Sequence, residues 1–138
     1  MGPNLGPAPG CRWRNMARLL VVEDEPDLRD LLVHRFEAAG HSVVPVATAG
    51  AALRTLDRDV PPDAAVLDVD LPGTDGVELL GELRRMHPEL PALFVTVLSS
   101  GELMTRMQAT GCPYLTKPFA AKDLRDAVDE LVRPRPVL

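Results

Sequence analysis

The chain has 138 residues, 46% of them hydrophobic, and a formal net charge of −5 at pH 7, which suits one folded domain. The acidic balance without a basic stripe argues against direct nucleic-acid binding, and no apolar run reaches the length of a membrane span. Cys11 and Cys112 are two lone cysteines without CxxC spacing, so we predict a reduced, cytoplasmic chain. His34, His41 and His87 lie apart, without metal-ligand spacing, and are predicted to be surface residues.

The composition divides the chain into three ranges. Residues 1–15 are rich in Pro and Gly and have no apolar period, which predicts a disordered leader. This leader lacks the apolar core of a signal peptide. Residues 16–132 carry regular apolar patterns and are predicted to fold as one domain. Residues 133–138, which alternate Arg and Pro at first, are predicted to be a tail.

The first predicted element is a buried strand over Arg18–Val22, an apolar run that leads into acidic residues. Pro26 suits the first turn of the helix that follows, and Asp24 or Glu25 lies near its cap. Gly40 is the residue type that ends such a helix. Apolar residues recur at helical spacing along this helix, namely Leu28, Leu31, Leu32, Phe36 and Ala39.

The third strand is predicted to carry the first candidate site residue. Before it, a second strand is predicted over residues 42–47, where Pro45 indicates a position at the edge of a sheet. Thr48 is placed to cap the short helix between them. The third strand, Ala64–Leu67, leads directly into Asp68, and turn-forming residues follow at once. We therefore expect Asp68 at the carboxyl end of a buried strand, where open α/β sheets bind ligands.

Two more strands and three helices complete the predicted pattern. The third helix begins near Asp75 and ends before Pro88, and a fourth strand spans Ala92–Thr96. A weakly amphipathic helix over residues 99–110 precedes a short fifth strand, Tyr114–Thr116, and the last helix. The residues of the third helix that we predict to face inward are Val77, Leu80, Leu83 and Met86.

Strands and helices thus alternate five times, which predicts an α/β fold: a (βα)5, doubly wound, five-stranded parallel sheet with helices on both faces. In such a sheet the carboxyl ends of the strands meet at one edge, and ligands bind there. Four strands deliver polar groups to this edge, namely Glu23 with Asp24, Asp68, Thr96 and Lys117. Their joint placement is much harder to explain as solvated surface than any one of them alone.

The acidic residues at this edge, Glu23, Asp24 and Asp68, predict a cation. Packed carboxylates repel one another and raise one another's pKa, a penalty that a divalent cation removes. Hard oxygen ligands without His or Cys favour Mg²⁺, which is the usual companion of phosphoryl oxygens. A carboxylate can accept a phosphoryl group, Lys117 can neutralise the charge of that group, and Thr96 can donate a hydrogen bond to it.

These polar residues belong to longer segments that stand in a fixed order. The segments are Leu-Leu-Val-Val-Glu23-Asp24-Glu25-Pro26, Leu-Asp68-Val-Asp-Leu-Pro72-Gly73-Thr-Asp75-Gly76, Phe-Val-Thr96 and Gly111-Cys-Pro-Tyr114-Leu-Thr-Lys117-Pro118-Phe119. This set resembles the receiver domain of response regulators in two-component signal transduction, a family with a flavodoxin-like, CheY-like fold. The resemblance covers about residues 16–132.

The resemblance implies that Asp68 is the phospho-acceptor and that Lys117 contacts the phosphoryl group. It implies Mg²⁺ ligation by Glu23, Asp24, Asp68 and the backbone carbonyl of Asp70. Glu23 stands where the family usually has Asp, and its longer side chain is expected to reach the metal through water. The expected donor is a phosphohistidine on a sensor histidine kinase or phosphotransfer protein. The chain is expected to catalyse only its own phosphorylation and a slow autodephosphorylation, and not to be an enzyme otherwise.

The resemblance also implies a switch. Thr96 is expected to move toward the phosphoryl group, and Tyr114 to turn inward into the vacated space. The face formed by the fourth helix, the fifth strand and the last helix would then carry the signal, and two copies of the chain could pair through it. The peptide bond between Lys117 and Pro118 is expected to be cis.

Two other hypotheses stay open beside this one. Val97 follows Thr96 where the family usually has Ala or Gly, which favours a receiver fold used as a protein-binding module without phosphorylation, although the acid cluster argues against it. Asp68-Val69-Asp70-Leu71 superficially resembles the nucleophile motif of haloacid-dehalogenase phosphohydrolases, but Pro72 replaces the Thr or Val of that motif. Asp70 is also placed to influence the attacking water during dephosphorylation.

Residues 133–138 contain no helix-turn-helix segment. If the chain is a whole gene product, its output is expected to pass through a partner protein. If it is a piece of a longer chain, a DNA-binding half would lie outside it.

Overall fold

Five strands alternate with five helices along residues 17–58, 60–97 and 101–133, which are the residues that the computed structural model describes. The strands are β1 (Arg18–Val22), β2 (Ser42–Val46), β3 (Ala64–Asp68), β4 (Ala92–Thr96) and β5 (Tyr114–Thr116). The helices are α1 (Pro26–Ala38), α2 (Ala49–Arg58), α3 (Gly76–Met86), α4 (Gly101–Ala109) and α5 (Ala121–Val132). The predicted leader and residues 134–138 of the predicted tail lie outside the described residues.

All five strands pair in parallel in one sheet, in the order β2-β1-β3-β4-β5. This confirms the predicted doubly wound α/β fold, and β2 with its Pro45 lies at an edge as predicted. The register pairs Asp68 with Val95 and Thr96 with Thr116, so neighbouring strands end close together. Within the described residues, no helix is long and apolar enough to span a membrane.

The core is divided by the sheet into two apolar layers. Successive residues of β1, β3 and β4 alternate between the layers, and β3 and β4 are buried at every position. Parallel strands covered on both faces need such continuous apolar runs. One layer packs on α1 and α5 through Leu32, Phe36, Leu124 and Val128. The other layer packs on α2, α3 and α4 through Ala52, Leu56, Leu79, Leu80, Leu83 and Met107.

The predicted helix ends are present in the structure. The Glu25 side chain caps α1, accepting hydrogen bonds from the backbone N–H groups of Asp27 and Leu28 at 3.2 and 2.7 Å. Asp75 caps α3 in the same way, accepting from the N–H of Glu78 at 2.8 Å. Gly40, after α1, has a φ of 100°, a conformation that other residues rarely adopt.

One of the predicted inward-facing residues of α3 is exposed, and this prediction was wrong. Met86 is 45% exposed at the last position of α3. Leu79 is fully buried instead, one turn before Leu83 on the same face of the helix.

His41 was predicted to be a surface residue, and this was also wrong, because only 5% of it is exposed. The Phe36 ring packs edge-on against its imidazole, and its Nδ1 accepts a hydrogen bond from the N–H of Ala17 at 3.2 Å. Its Nε2 lies 3.9 Å from Oδ1 of Asp129, and neither atom has a hydrogen-bond partner within the described residues. Burial lowers the pKa of His41, and Asp129 opposes this only in part.

We predict that His41 makes the protein sensitive to acid. Unfolded histidine has a pKa near 6.5, so below this pH the unfolded chain binds a proton that the folded chain binds less readily. The free energy of unfolding should therefore fall with decreasing pH, and it should fall less in His41→Gln. Urea unfolding between pH 7 and 5 measures this, with His34→Gln at an exposed histidine of α1 as the control. Parallel profiles for wild type and His41→Gln would contradict the prediction.

Gly76 allows α3 to begin directly against the end of β3. A Cβ at this position would lie 2.3 Å from the carbonyl oxygen of Asp68 and 3.0 Å from Cα of Val69. The N–H of Gly76 also donates a hydrogen bond to the carbonyl of Val69 at 2.9 Å. The close approach of α3 to the backbone of Asp68 is therefore possible only because Gly76 has no side chain.

We predict that Gly76→Ala lowers the free energy of unfolding by about 2 kcal/mol, because backbone atoms must shift to admit the methyl group. Gly81→Ala is the matched control on the same helix. No atom lies within 4 Å of a Cβ at Gly81, and alanine there should stabilise the protein by up to about 1 kcal/mol. Urea unfolding of both variants measures the difference, and equal stabilities would contradict the proposed close contact.

Candidate functional site

Three strands deliver acidic and basic side chains to one edge of the sheet. Glu23 and Asp24 follow β1, Asp68 is the last residue of β3, and Lys117 follows β5. One carboxylate oxygen from each of Glu23, Asp24 and Asp68 lies within 4.8 Å of the other two. The structure thus brings together residues that stand up to 94 positions apart in the chain.

Lys117 contacts two of these carboxylates. Its Nζ lies 3.3 Å from Oε1 of Glu23 and 3.4 Å from Oδ1 of Asp68. The side chains of Glu23 and Asp68 are almost completely buried, whereas Asp24 is exposed. The backbone N–H of Lys117 donates to the carbonyl of Thr96 at 2.8 Å, and the bond to Pro118 is cis, as the resemblance implied.

The surroundings of Glu23 shift the pKa of its carboxyl group. Burial raises its pKa to about 7, and the nearby carboxylate of Asp68 acts in the same direction. The N–H of Glu25, which donates to Oε2 of Glu23 at 3.1 Å, and the ammonium of Lys117 lower the pKa but do not offset the burial. The ammonium of Lys117 is therefore insufficient to keep Glu23 fully ionised at neutral pH.

The loop that follows Asp68 contacts the carboxylate of Asp68 through its backbone. The N–H of Asp70 donates to Oδ1 of Asp68 at 3.1 Å, and the N–H of Val69 donates to the carbonyl of Val95 at 3.2 Å. The side chain of Asp70 is exposed. That the backbone carbonyl of Asp70 binds a metal remains a prediction, because the contact between Asp70 and Asp68 in the structure is made by the N–H of Asp70.

The two predicted switch residues lie on neighbouring strands. Thr96 is buried at the end of β4, and its hydroxyl donates to the carbonyl of Val97 at 3.1 Å rather than to Asp68. Tyr114 is 38% exposed at the start of β5, so its ring is not turned inward in this structure. The side chain of Val97 is exposed. The movement of Thr96 and Tyr114 remains a prediction.

Two sets of contacts near the site were not predicted from the sequence: those of Arg29, and those between Arg106 and Asp75. The guanidinium of Arg29 donates to the carbonyl of Glu23 at 3.0 Å. Arg106 of α4 donates to both carboxylate oxygens of Asp75, at 2.8 and 3.4 Å. The place of Arg29 in the sequence, six positions after Glu23 in the helix that follows the acids, could have indicated its contact with Glu23. No local pattern indicates a contact between residues 31 positions apart.

The acid cluster fits a magnesium ion. Its three side chains offer carboxylate oxygens, the hard ligands that Mg²⁺ prefers, and no His or Cys is part of the cluster. Carboxylates this close also need a positive charge beyond the one that Lys117 supplies. The exposed Asp24 leaves one side of the cluster open to solvent.

Comparison with known proteins gives a consistent result. The family model described as "Response regulator receiver domain" matches residues 19–129. The response regulator protein FleR of Pseudomonas aeruginosa is 38% identical over 113 residues, which is 81% of this chain and 24% of FleR. The transcriptional regulatory protein TcrA of Mycobacterium tuberculosis is 36% identical over 133 residues, which is 96% of this chain and 52% of TcrA.

The fold comparison agrees with the sequence comparison. A CheY-like response regulator receiver domain protein from Methanospirillum hungatei matches with a TM-score of 0.77 and 28% identity, covering 85% of this chain and 94% of that one. The chain therefore matches nearly a whole receiver domain. It spans about half or less of the length of the curated relatives named above.

We predict that Glu23 makes the metal-free protein less stable as the pH rises. The folded chain holds the Glu23 proton up to about pH 7, whereas the unfolded chain releases it near 4.5. Relative to Glu23→Gln, the wild type should lose on the order of 3 kcal/mol of unfolding free energy between these pH values. Urea unfolding with a chelator present measures this, with Glu37→Gln on the exposed face of α1 as the control. A difference that stays constant with pH would contradict the prediction.

Proposed function

The chain belongs to the response regulator receiver domain family of two-component systems, and on that premise we propose that Asp68 accepts a phosphoryl group from a phosphohistidine. The donor would be a partner sensor histidine kinase or a phosphotransfer protein. The observation that carries the proposal is the position of Lys117, whose Nζ lies within 3.4 Å of a carboxylate oxygen of both Asp68 and Glu23.

In the proposed transfer, a carboxylate oxygen of Asp68 attacks the phosphorus atom. A P–O bond forms, the P–N bond to the imidazole of the donor breaks, and the imidazole nitrogen keeps the electron pair. The ammonium of Lys117 stabilises the negative charge on the phosphoryl oxygens. The N–H of Asp70 holds Oδ1 of Asp68 in place, which orients the nucleophile.

The same cluster would hold Mg²⁺. The residues for this are the carboxylates of Glu23, Asp24 and Asp68 together with the carbonyl of Asp70. When bound, the ion supplies charge neutralisation for the acids and for the phosphoryl oxygens. Catalysis would be limited to the phosphorylation of Asp68 and its slow reversal by water, so the chain is not proposed to be an enzyme that acts on other substrates.

The signal is proposed to leave through the face that α4, β5 and α5 form. The hydroxyl of Thr96 would exchange the carbonyl of Val97 for a phosphoryl oxygen, and Tyr114 would turn inward behind it. The changed α4-β5-α5 face would then bind a partner protein or a second copy of the chain. A cytoplasmic location is proposed because Cys11 and Cys112 are lone cysteines without CxxC spacing, as in chains that stay reduced. Any output function of the whole protein is a proposal of the same kind, since the curated relatives are longer.

We predict that wild-type protein incubated with Mg²⁺ and acetyl phosphate gains the mass of one phosphoryl group, as measured by intact mass spectrometry. Asp68→Asn should gain none, because an amide is not a nucleophile toward phosphorus at neutral pH. Asp57→Asn is the control: it makes the same chemical change at an exposed residue of α2, outside the acid cluster, and should still be phosphorylated. No gain in the wild type would instead favour a binding module that works without phosphorylation.

A further inference from the structure

Arg29 connects the first helix to the acidic pair at the end of β1. Glu23 lies just past the strand, and its N–H still donates to the carbonyl of Val46 at 3.1 Å. Its carbonyl accepts a hydrogen bond from the guanidinium of Arg29 at 3.0 Å. Arg29 is half-buried at the end of the first turn of α1, and Glu25 fixes the start of this helix by capping it. Arg29 thus spans from a fixed helix back to the strand end.

The carbonyl of Glu23 and the N–H of Asp24 belong to one planar peptide group. A hydrogen-bond donor that fixes the direction of this carbonyl therefore also fixes the orientation of the peptide group that leads to Cα of Asp24, the atom that carries its side chain. Glu23 has contacts of its own, since its carboxylate accepts from the N–H of Glu25 and faces Lys117. Asp24 is exposed, and its placement depends on the backbone that carries it.

We propose that Arg29 is a positioning residue, which holds the Glu23–Asp24 peptide so that the carboxylate of Asp24 stays near those of Glu23 and Asp68. The inference rests on the proposed function in one respect, namely that the cluster binds Mg²⁺. Magnesium requires a nearly ideal octahedral arrangement of its ligands, so a displaced Asp24 weakens binding even when all three acids are present.

The sign of the effect separates positioning from simple electrostatics. Arg29 carries a positive charge close to a cation site, and removing that charge would by Coulomb's law strengthen the binding of Mg²⁺. A positioning role predicts the opposite. Arg29→Met keeps the apolar stem of the side chain and removes both the charge and the donor, so the two explanations predict changes in opposite directions.

The experiment is a calorimetric titration of the full chain with Mg²⁺ alone, at about pH 8 so that Glu23 is ionised. Arg29→Met should bind Mg²⁺ about tenfold more weakly than wild type. Arg29→Lys keeps the charge but has a shorter reach, and it should also bind more weakly. Arg35→Met, at an exposed arginine in the last turn of α1, should bind as wild type does. Thermal melting of each variant checks that it is folded.

A second measurement does not depend on the metal. In metal-free protein, the amide hydrogen of Glu25 should exchange faster in Arg29→Met than in wild type. The freed Glu23–Asp24 peptide directly precedes this N–H, which should then leave the carboxylate of Glu23 more often. The amide of Leu20, inside β1, should exchange at an unchanged rate in both proteins.

Two results would overturn the inference. One is Mg²⁺ binding by a folded Arg29→Met that equals or exceeds that of wild type. The other is an unchanged exchange rate at Glu25. A wild type that binds no Mg²⁺, together with an Arg35→Met that binds none, would instead contradict the proposed function at its metal site, and the inference would fall with it.

Discussion

The burial of two carboxylates against one ammonium group is the constraint on which the rest of the site depends. Glu23 and Asp68 are both withdrawn from water, and Lys117 supplies a single positive charge to the two of them. The raised pKa of Glu23 shows that this charge is not enough. Such a cluster is destabilising by itself, and it becomes favourable only when further positive charge arrives. A bound cation would therefore stabilise the site electrostatically.

The sheet makes this arrangement possible because it fixes the acids from the backbone outward. β3 is buried on both faces and lies in the middle of the sheet, so Asp68 stands on a rigid support. Gly76 lets α3 start directly against that strand end, and the N–H of Asp70 fixes one oxygen of the acid. Lys117 is held through the backbone bond to Thr96. Rigid main-chain contacts thus position charged side chains, which need a precise geometry for phosphoryl transfer.

The sequence predicted the order of elements and the strand ends, because apolar runs and turn-forming residues are local signals. It also predicted that Glu23, Asp24, Asp68 and Lys117 converge, because the carboxyl ends of parallel strands share one edge. It did not predict the burial of His41, which depends on the packing of α1 and α5 over the start of β2. The contact between Arg106 and Asp75 was missed for the same reason, since a hydrogen bond between residues 31 positions apart leaves no local pattern. The roles of the site residues in phosphorylation remain predictions.

The attachment of α4 differs from that of the other helices. Met107 is the one buried residue in its described range, Gly101–Ala109, and Arg106 ties the helix to Asp75 at the start of α3. An ion pair at the surface contributes little stability, and dissolved ions screen it. Of the five helices, α4 therefore has the fewest buried side chains among the described residues, and ionic strength should change how firmly the pair of Arg106 and Asp75 holds it. Asp68 thus stands on a strand that is buried at every position, whereas α4 is held in part by a surface contact that responds to dissolved salt.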